Sequence, residues 1–104
     1  MTILMNELTD KIERWSTQRN LHTADPSKQV IKLGEEYGEL CQGFNKQKPH
    51  EVKDAIGDMY VVMTILCQQN GLSIEDCVSA SYAEIKDRKG KMIDGVFVKE
   101  ADLK

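Results

Sequence analysis

The sequence has no uninterrupted apolar run approaching the roughly 18–20 residues that a membrane-spanning helix needs, so no membrane partner is expected. It has no excess of positive charge. Lys and Arg number 14 against 17 Asp and Glu, a net charge of -3, which excludes a broad basic surface for nucleic acid. Histidine is scarce: His22 and His50 are too few for a His-rich metal centre. Three cysteines, Cys41, Cys67 and Cys77, are odd in number and far apart, each among apolar neighbours. They are expected to be reduced, core-lining thiols of a cytoplasmic protein, not disulfides or zinc ligands. The opening residues, Met1 to Glu7, lack a basic stretch followed by a long apolar core, so no secretory signal is expected.

What is present fits a single helical domain over residues 1–104. A chain this short buries a modest core alone, so oligomerisation is expected. Leu4, Leu8, Ile12 and Trp15 recur at helical spacing in a first helix from about Thr2 to Asn20. Asp25-Pro26 reads as a cap and a first-turn proline for a second helix ending near Asn45, with Val30, Leu33, Tyr37, Leu40 and Phe44 as its apolar stripe. After the polar loop Asn45–His50, a third helix runs from about His50 to Asn70. Met59–Cys67 is apolar nearly all round and rich in β-branched residues, so a strand is an alternative there, but no partner strand is evident. Gly71 is a helix stop, and Ser73–Asp76 a weak capping box for a fourth helix carrying Ile74, Val78, Tyr82 and Ile85 and ending near Gly90. Residues 92–104 form an arm or small hairpin about Asp94-Gly95. The expected fold class is all-α, a four-helix bundle-like domain.

The chemistry lies in two acidic groups. Glu36 and Glu39 are i, i+3 on the second helix and share a face; Asp54 and Asp58 are i, i+4 on the third. Folding the two helices as an antiparallel hairpin brings Glu36 level with Met59 and Glu39 level with Ile56, so Asp58 faces both glutamates. Glu51 falls a few residues along the axis and is peripheral. Converging carboxylates raise one another's pKa unless a cation neutralises them, and oxygen-only ligands suit Mg²⁺, with Mn²⁺ as the alternative. Glycines at 34, 38, 43 and 57, each costly in a helix, are expected to mark close approach of another helix or a ligand.

Glu36-Tyr-Gly-Glu39 followed by Ala55-Ile-Gly-Asp58 resembles the MazG-like, all-α nucleotide pyrophosphohydrolases, with a Glu-x-x-Glu pair on one helix and a Glu-x-x-Asp pair on the next. Ala55 departs from that pattern, since the family usually has glutamate there. Asp54 is placed to supply the missing oxygen; Glu51-Val-Lys-Asp54 is an alternative register that the hairpin disfavours. The flanks are also similar, in Trp15 with Arg19 and in Glu84–Lys99.

The resemblance implies Mg²⁺-dependent hydrolysis of a ribo- or deoxyribonucleoside triphosphate between the α- and β-phosphates, in a homodimer or dimer of dimers. Glu36, Glu39, Asp54 and Asp58 would hold metal, and Glu35 would be a general base, an outer acceptor or a surface residue. Lys32, Lys86, Arg88 and Lys89 are candidates for phosphate, and Trp15 for the base. Structural alternatives exist for each: Lys32 pairing with Glu36, the basic cluster capping the fourth helix, and Trp15 packing in the core in register with Leu4, Leu8 and Ile12; Phe44 and Tyr82, on apolar stripes, are also expected in the core. A di-iron carboxylate bundle is excluded, because neither histidine lies i+3 from a glutamate. Ala55 keeps open a second reading, a catalytically weak nucleotide-binding or protein-interaction module.

Overall fold

A computed structural model describes residues 2–103. The fold class is all-α, with four α-helices and one two-stranded sheet among the described residues. The chain divides into two compact units, Met1–Ile74 and Glu75–Lys104.

The first unit is built on a helical hairpin. α1 spans Met5–Gln18, α2 Ser27–Asn45 and α3 Pro49–Gln69, with a 3-10 turn at Leu21–Thr23. α3 packs against both α1 and α2. Asp25 Oδ1 accepts the backbone N–H of Ser27 at 2.9 Å, satisfying a donor that the start of α2 leaves open. That bond holds the Asp25 carboxyl below the usual range. α2 ends with Gln47 at φ 57°, and Lys48 N–H donates to Gly43 O at 2.9 Å. α3 ends the same way at Gly71, φ 68°, where Leu72 N–H donates to Cys67 O at 2.8 Å. Both are left-handed caps that return the last carbonyls to hydrogen bonds.

The core sits on α3: Ala55, Val62, Thr64, Ile65 and Cys67 are buried. The apolar run is therefore helix, not strand. Its neighbours present different faces from those expected. α1 turns Thr9 and Ser16 inward, while Leu4, Leu8 and Trp15 are exposed. α2 turns Gln29, Glu36 and Gly43 inward, and Val30, Tyr37 and Phe44 lie outside. Trp15, Phe44 and Tyr82 are thus not core residues; they are 46%, 73% and 62% exposed. The reason is geometric: the apolar stripe marks the greasiest meridian of a helix, whereas small and polar residues let it lie close to α3. Thr9 Oγ1 donates to Met5 O at 3.0 Å, which spends its single hydrogen. It must then accept from Tyr60 Oη, 2.7 Å away.

The second unit contains α4, Ile74–Ile85, which begins at the unit boundary, and an antiparallel hairpin of β1, Gly90–Ile93, and β2, Val96–Lys99. Asp94 and Gly95 have φ of 50° and 80°, the double left-handed turn that suits a two-residue hairpin loop. α4 stops at Ile85, short of Gly90. Gly90 instead pairs with Lys99, where a Cβ would overlap the Val98 carbonyl. Lys86, Arg88 and Lys89 therefore lie in the connection to the hairpin, not in a last helical turn. Lys104, the end of the expected arm, lies outside the described residues. Among the described residues no helix is long and apolar enough to cross a membrane. No disulfide joins the three cysteines.

Candidate functional site

The α2–α3 hairpin turns between Asn45 and Pro49, and Gly43 lies in the last turn of α2. A Cβ there would stand 3.0 Å from the Glu51 Cβ and 3.4 Å from the Val52 nitrogen, so the two backbones approach at the loop end. Gly34, Gly38 and Gly57 have no such role; nothing lies within 4 Å of the position a Cβ would take.

From that anchored end the helices carry Glu36, Glu39 and Asp58 together. One carboxylate oxygen from each lies within 4.8 Å of the others. Glu36 is buried, at 8% exposure, while Glu39 and Asp58 are open to solvent. Glu36 Oε1 is 3.9 Å from Lys32 Nζ, a long contact to an exposed cation. Glu36 Oε2 is buried with no hydrogen-bond partner among the described residues. Burial, and then the charges of Glu39 and Asp58, hold the Glu36 carboxyl above the usual range; Lys32 opposes them more weakly.

A groove of 370 Å³ adjoins this cluster, lined by Glu39, Gln42, Glu51, Asp54, Ala55 and Asp58. Glu39 and Asp58 belong to both. Among the described residues no lysine or arginine lines it. Asp54 is outside the three-carboxylate cluster: its side chain is 69% exposed and its Oδ2 lies 3.8 Å from His50 Nε2. Glu51 is similarly placed, 3.6 Å from Lys48 Nζ. Ala55, at 2% exposure, gives the groove a methyl floor. Gln42, a lining residue beyond those expected from the sequence, is marked there only by its i+3 spacing from Glu39.

Three oxygen donors from rigid helices, one an orphaned buried acceptor, fit a hard divalent cation such as Mg²⁺. Glu35 is exposed and outside the cluster. Trp15 lies on a different surface, an apolar groove of 320 Å³ with Leu8, Lys11, Ile12 and Val61. The Arg19 guanidinium covers one face of its ring, 4.2 Å from the centroid. Lys86, Arg88 and Lys89 belong to the second unit.

The phosphoribosyl-ATP pyrophosphohydrolase family matches residues 1–89. An uncharacterised 18.2 kDa protein from the rep–hol intergenic region of Haemophilus phage HP1 is 52% identical over 67 residues. That match covers 64% of this chain and 41% of the phage protein, so the chain spans about two fifths of that relative. No solved structure matches. Matched over most of its length and carrying paired carboxylates on consecutive helices, the chain belongs to the phosphoribosyl-ATP pyrophosphohydrolase family, an all-α member of the MazG-like pyrophosphohydrolases.

Proposed function

We propose that the protein is a Mg²⁺-dependent pyrophosphohydrolase that cleaves a nucleoside triphosphate between the α- and β-phosphates. Water adds at phosphorus, the bridging oxygen leaves, and the products are a nucleoside monophosphate and pyrophosphate. The observation that carries this reading is Glu36 Oε2, buried and unpartnered within a cluster of three carboxylates. Family membership supports the bond class. The family's description names phosphoribosyl-ATP, which presents the same triphosphate, so that compound belongs in the substrate panel.

Glu36, Glu39 and Asp58 would hold the ion, Glu36 from within the hairpin and the other two from its edge. When bound, Mg²⁺ offsets phosphate charge and acidifies water. Glu39 and Asp58 also open onto the groove, where they orient whatever enters. Asp54 stands one helical turn from Asp58 as an outer oxygen donor. Lys32, exposed and 3.9 Å from Glu36, would contact phosphate from beside the cluster. We assign no step to Glu35, Trp15, Lys86, Arg88 or Lys89.

We further propose a homodimer or dimer of dimers in the cytoplasm. Val30, Ile31, Tyr37 and Phe44 on α2, each more than half exposed, form an apolar face that one chain leaves uncovered.

The test is incubation with Mg²⁺ and a panel of ribo- and deoxyribonucleoside triphosphates and phosphoribosyl-ATP, followed by product identification. Pyrophosphate plus monophosphate, lost in EDTA and in Asp58→Asn, is the expected result. Orthophosphate plus diphosphate overturns the bond assignment. Background turnover in both the native chain and Asp58→Asn overturns the enzyme and favours the binding module that Ala55 leaves open.

A further inference from the structure

Six buried side-chain atoms lack a hydrogen-bond partner among the described residues: Ser16 Oγ, His22 Nδ1, Gln29 Oε1, Glu36 Oε2, Gln68 Oε1 and Gln69 Oε1. Glu36 belongs to the carboxylate cluster. The other five gather at the open end of the hairpin, where α1 and α3 end and α2 begins. Two hydrogen bonds place them. Gln68 Nε2 donates to the Glu13 carbonyl at 3.2 Å, and Gln69 Nε2 to the Leu21 carbonyl at 2.9 Å. Ser16 stands one turn beyond Glu13 on the inward side of α1, and His22 follows Leu21. Gly43 meets Val52, and counting back along the antiparallel pair sets the inward-turned Gln29 level with Leu66, one turn before Gln69.

The orientations of Gln68 and Gln69 are forced. A backbone carbonyl only accepts, so each amide turns its Nε2 to the backbone and its Oε1 away from it. Ser16 is fully buried and Gln29 is 9% exposed, so bulk solvent does not reach them. An acceptor left unpaired carries its full desolvation cost, and five such atoms in one seam weigh heavily against the stability of a small domain. The set also defines what satisfies it. Four of the atoms are oxygens and none is a carboxylate, so a divalent ion would find no charged ligand. An anion would meet three amide oxygens and the negative ends of two helices, of which the start of α2 offsets one. What fits is a small species that donates hydrogen bonds or carries a single positive charge.

We propose that the junction of α1, α2 and α3 is an internal binding site for a small hydrogen-bond donor, ordered water or a monovalent cation of K⁺ size, held by Ser16, Gln29, Gln68, Gln69 and His22. The site is separate from the carboxylate cluster and independent of the reaction proposed there. Its occupant ties α1 and α2 to the last turn of α3.

The experiment measures thermal unfolding of the full chain in EDTA with chloride salts of K⁺, NH₄⁺, Na⁺, Li⁺ and tetramethylammonium at equal ionic strength, together with water–protein cross-relaxation by NMR. A bound cation raises the midpoint in K⁺ and NH₄⁺ above that in tetramethylammonium; Gln29→Met removes the difference and Glu36→Gln keeps it. Bound water leaves the midpoints equal and gives long-lived water cross-peaks to the Gln68 and Gln69 side-chain amides. Either result supports the site and says which species fills it. Equal midpoints with no long-lived water at these amides would overturn it. Gln29→Met is a second, independent test, because Met matches Gln in length and helix propensity. An oxygen bound to an occupant loses stability on that exchange, whereas one that is merely unpaired gains it. A lowered midpoint is expected, and a raised or unchanged one would overturn the inference. The native-chain measurements decide even where that variant does not fold.

Discussion

Glu36 and Asp58 face each other across the α2–α3 hairpin with carboxylate oxygens within 4.8 Å, and Glu36 is the buried partner. The arrangement is unfavourable in the absence of a cation. A buried acid beside two other acids prefers its neutral form, and the Glu36 carboxyl is accordingly held above its ordinary value of 4.5. The folded chain therefore binds more protons than the unfolded chain between the two values. Stability without metal is expected to fall as pH rises from about 4.5 through the folded pKa, and Mg²⁺ should restore it. Thermal unfolding across that range, in EDTA and in Mg²⁺, measures both effects. Glu36→Gln should flatten the pH dependence and remove most of the Mg²⁺ stabilisation.

Asp58→Asn keeps the shape of the side chain and removes a charge shared by the cluster and the groove. Turnover is expected to drop by roughly 100-fold or more if the carboxylate holds the ion. Asp54→Asn, at an exposed outer position, should cost less than that. Steady-state kinetics at several Mg²⁺ concentrations separates the two, because weakened metal binding is partly rescued by added Mg²⁺.

The hairpin end gives opposite expectations for two glycines. Gly34→Ala meets open space and should gain about 0.5–1 kcal/mol from helix propensity. Gly43→Val places side-chain atoms against Glu51 and the Val52 backbone, and should lose about 1–3 kcal/mol by overpacking. Urea unfolding of both variants tests the pair. A stabilised Gly43→Val would mean that the two backbones do not meet at this position.

The Thr9–Tyr60 hydroxyl pair joins α1 to α3. Thr9→Val and Tyr60→Phe are each expected to cost about 1 kcal/mol, and the double variant less than their sum. A double-mutant cycle gives the coupling directly; additive losses would remove the bond from the account of α1 docking.

The apolar outer face of α2 predicts concentration-dependent behaviour. Analytical ultracentrifugation should find the chain assembled at micromolar concentration, and Tyr37→Lys with Phe44→Lys should shift it toward monomer. An unchanged sedimentation profile in that variant would place the contact elsewhere.

Local grammar explains what could be read ahead of the structure. Asp25 with Pro26, Gly71, and Asp94 with Gly95 each need a particular backbone geometry, and each marks a boundary found in the fold. The pairing of α2 with α3 followed from a short loop, and it brought Glu36, Glu39 and Asp58 together. The orientation of α1 and α2 about their own axes was not legible. Their apolar stripes are real, but Thr9, Ser16, Gln29 and Gly43 are what face α3. Hydrophobicity identifies a face that requires cover and says nothing of whether the same chain provides it. Asp54 stood close to the cluster by arithmetic, yet its helix position turns it toward His50. Gly90 read as a helix end because strand pairing to Lys99 is a non-local fact.

The polar seam between α1 and α3 bears on how the first unit comes apart. α1 and the turn after it are held by hydroxyl and amide bonds: Thr9 to Tyr60, Gln68 to the Glu13 carbonyl, and Gln69 to the Leu21 carbonyl. Such bonds exchange with water at small net cost, about 1 kcal/mol each. Fluctuations should therefore release α1 before the α2–α3 hairpin parts, giving α1 amides faster hydrogen exchange than those of α3. The carboxylates sit on the slower pair. The chemical centre would then persist through the commonest excursions from the folded state, with α1 acting as a detachable brace.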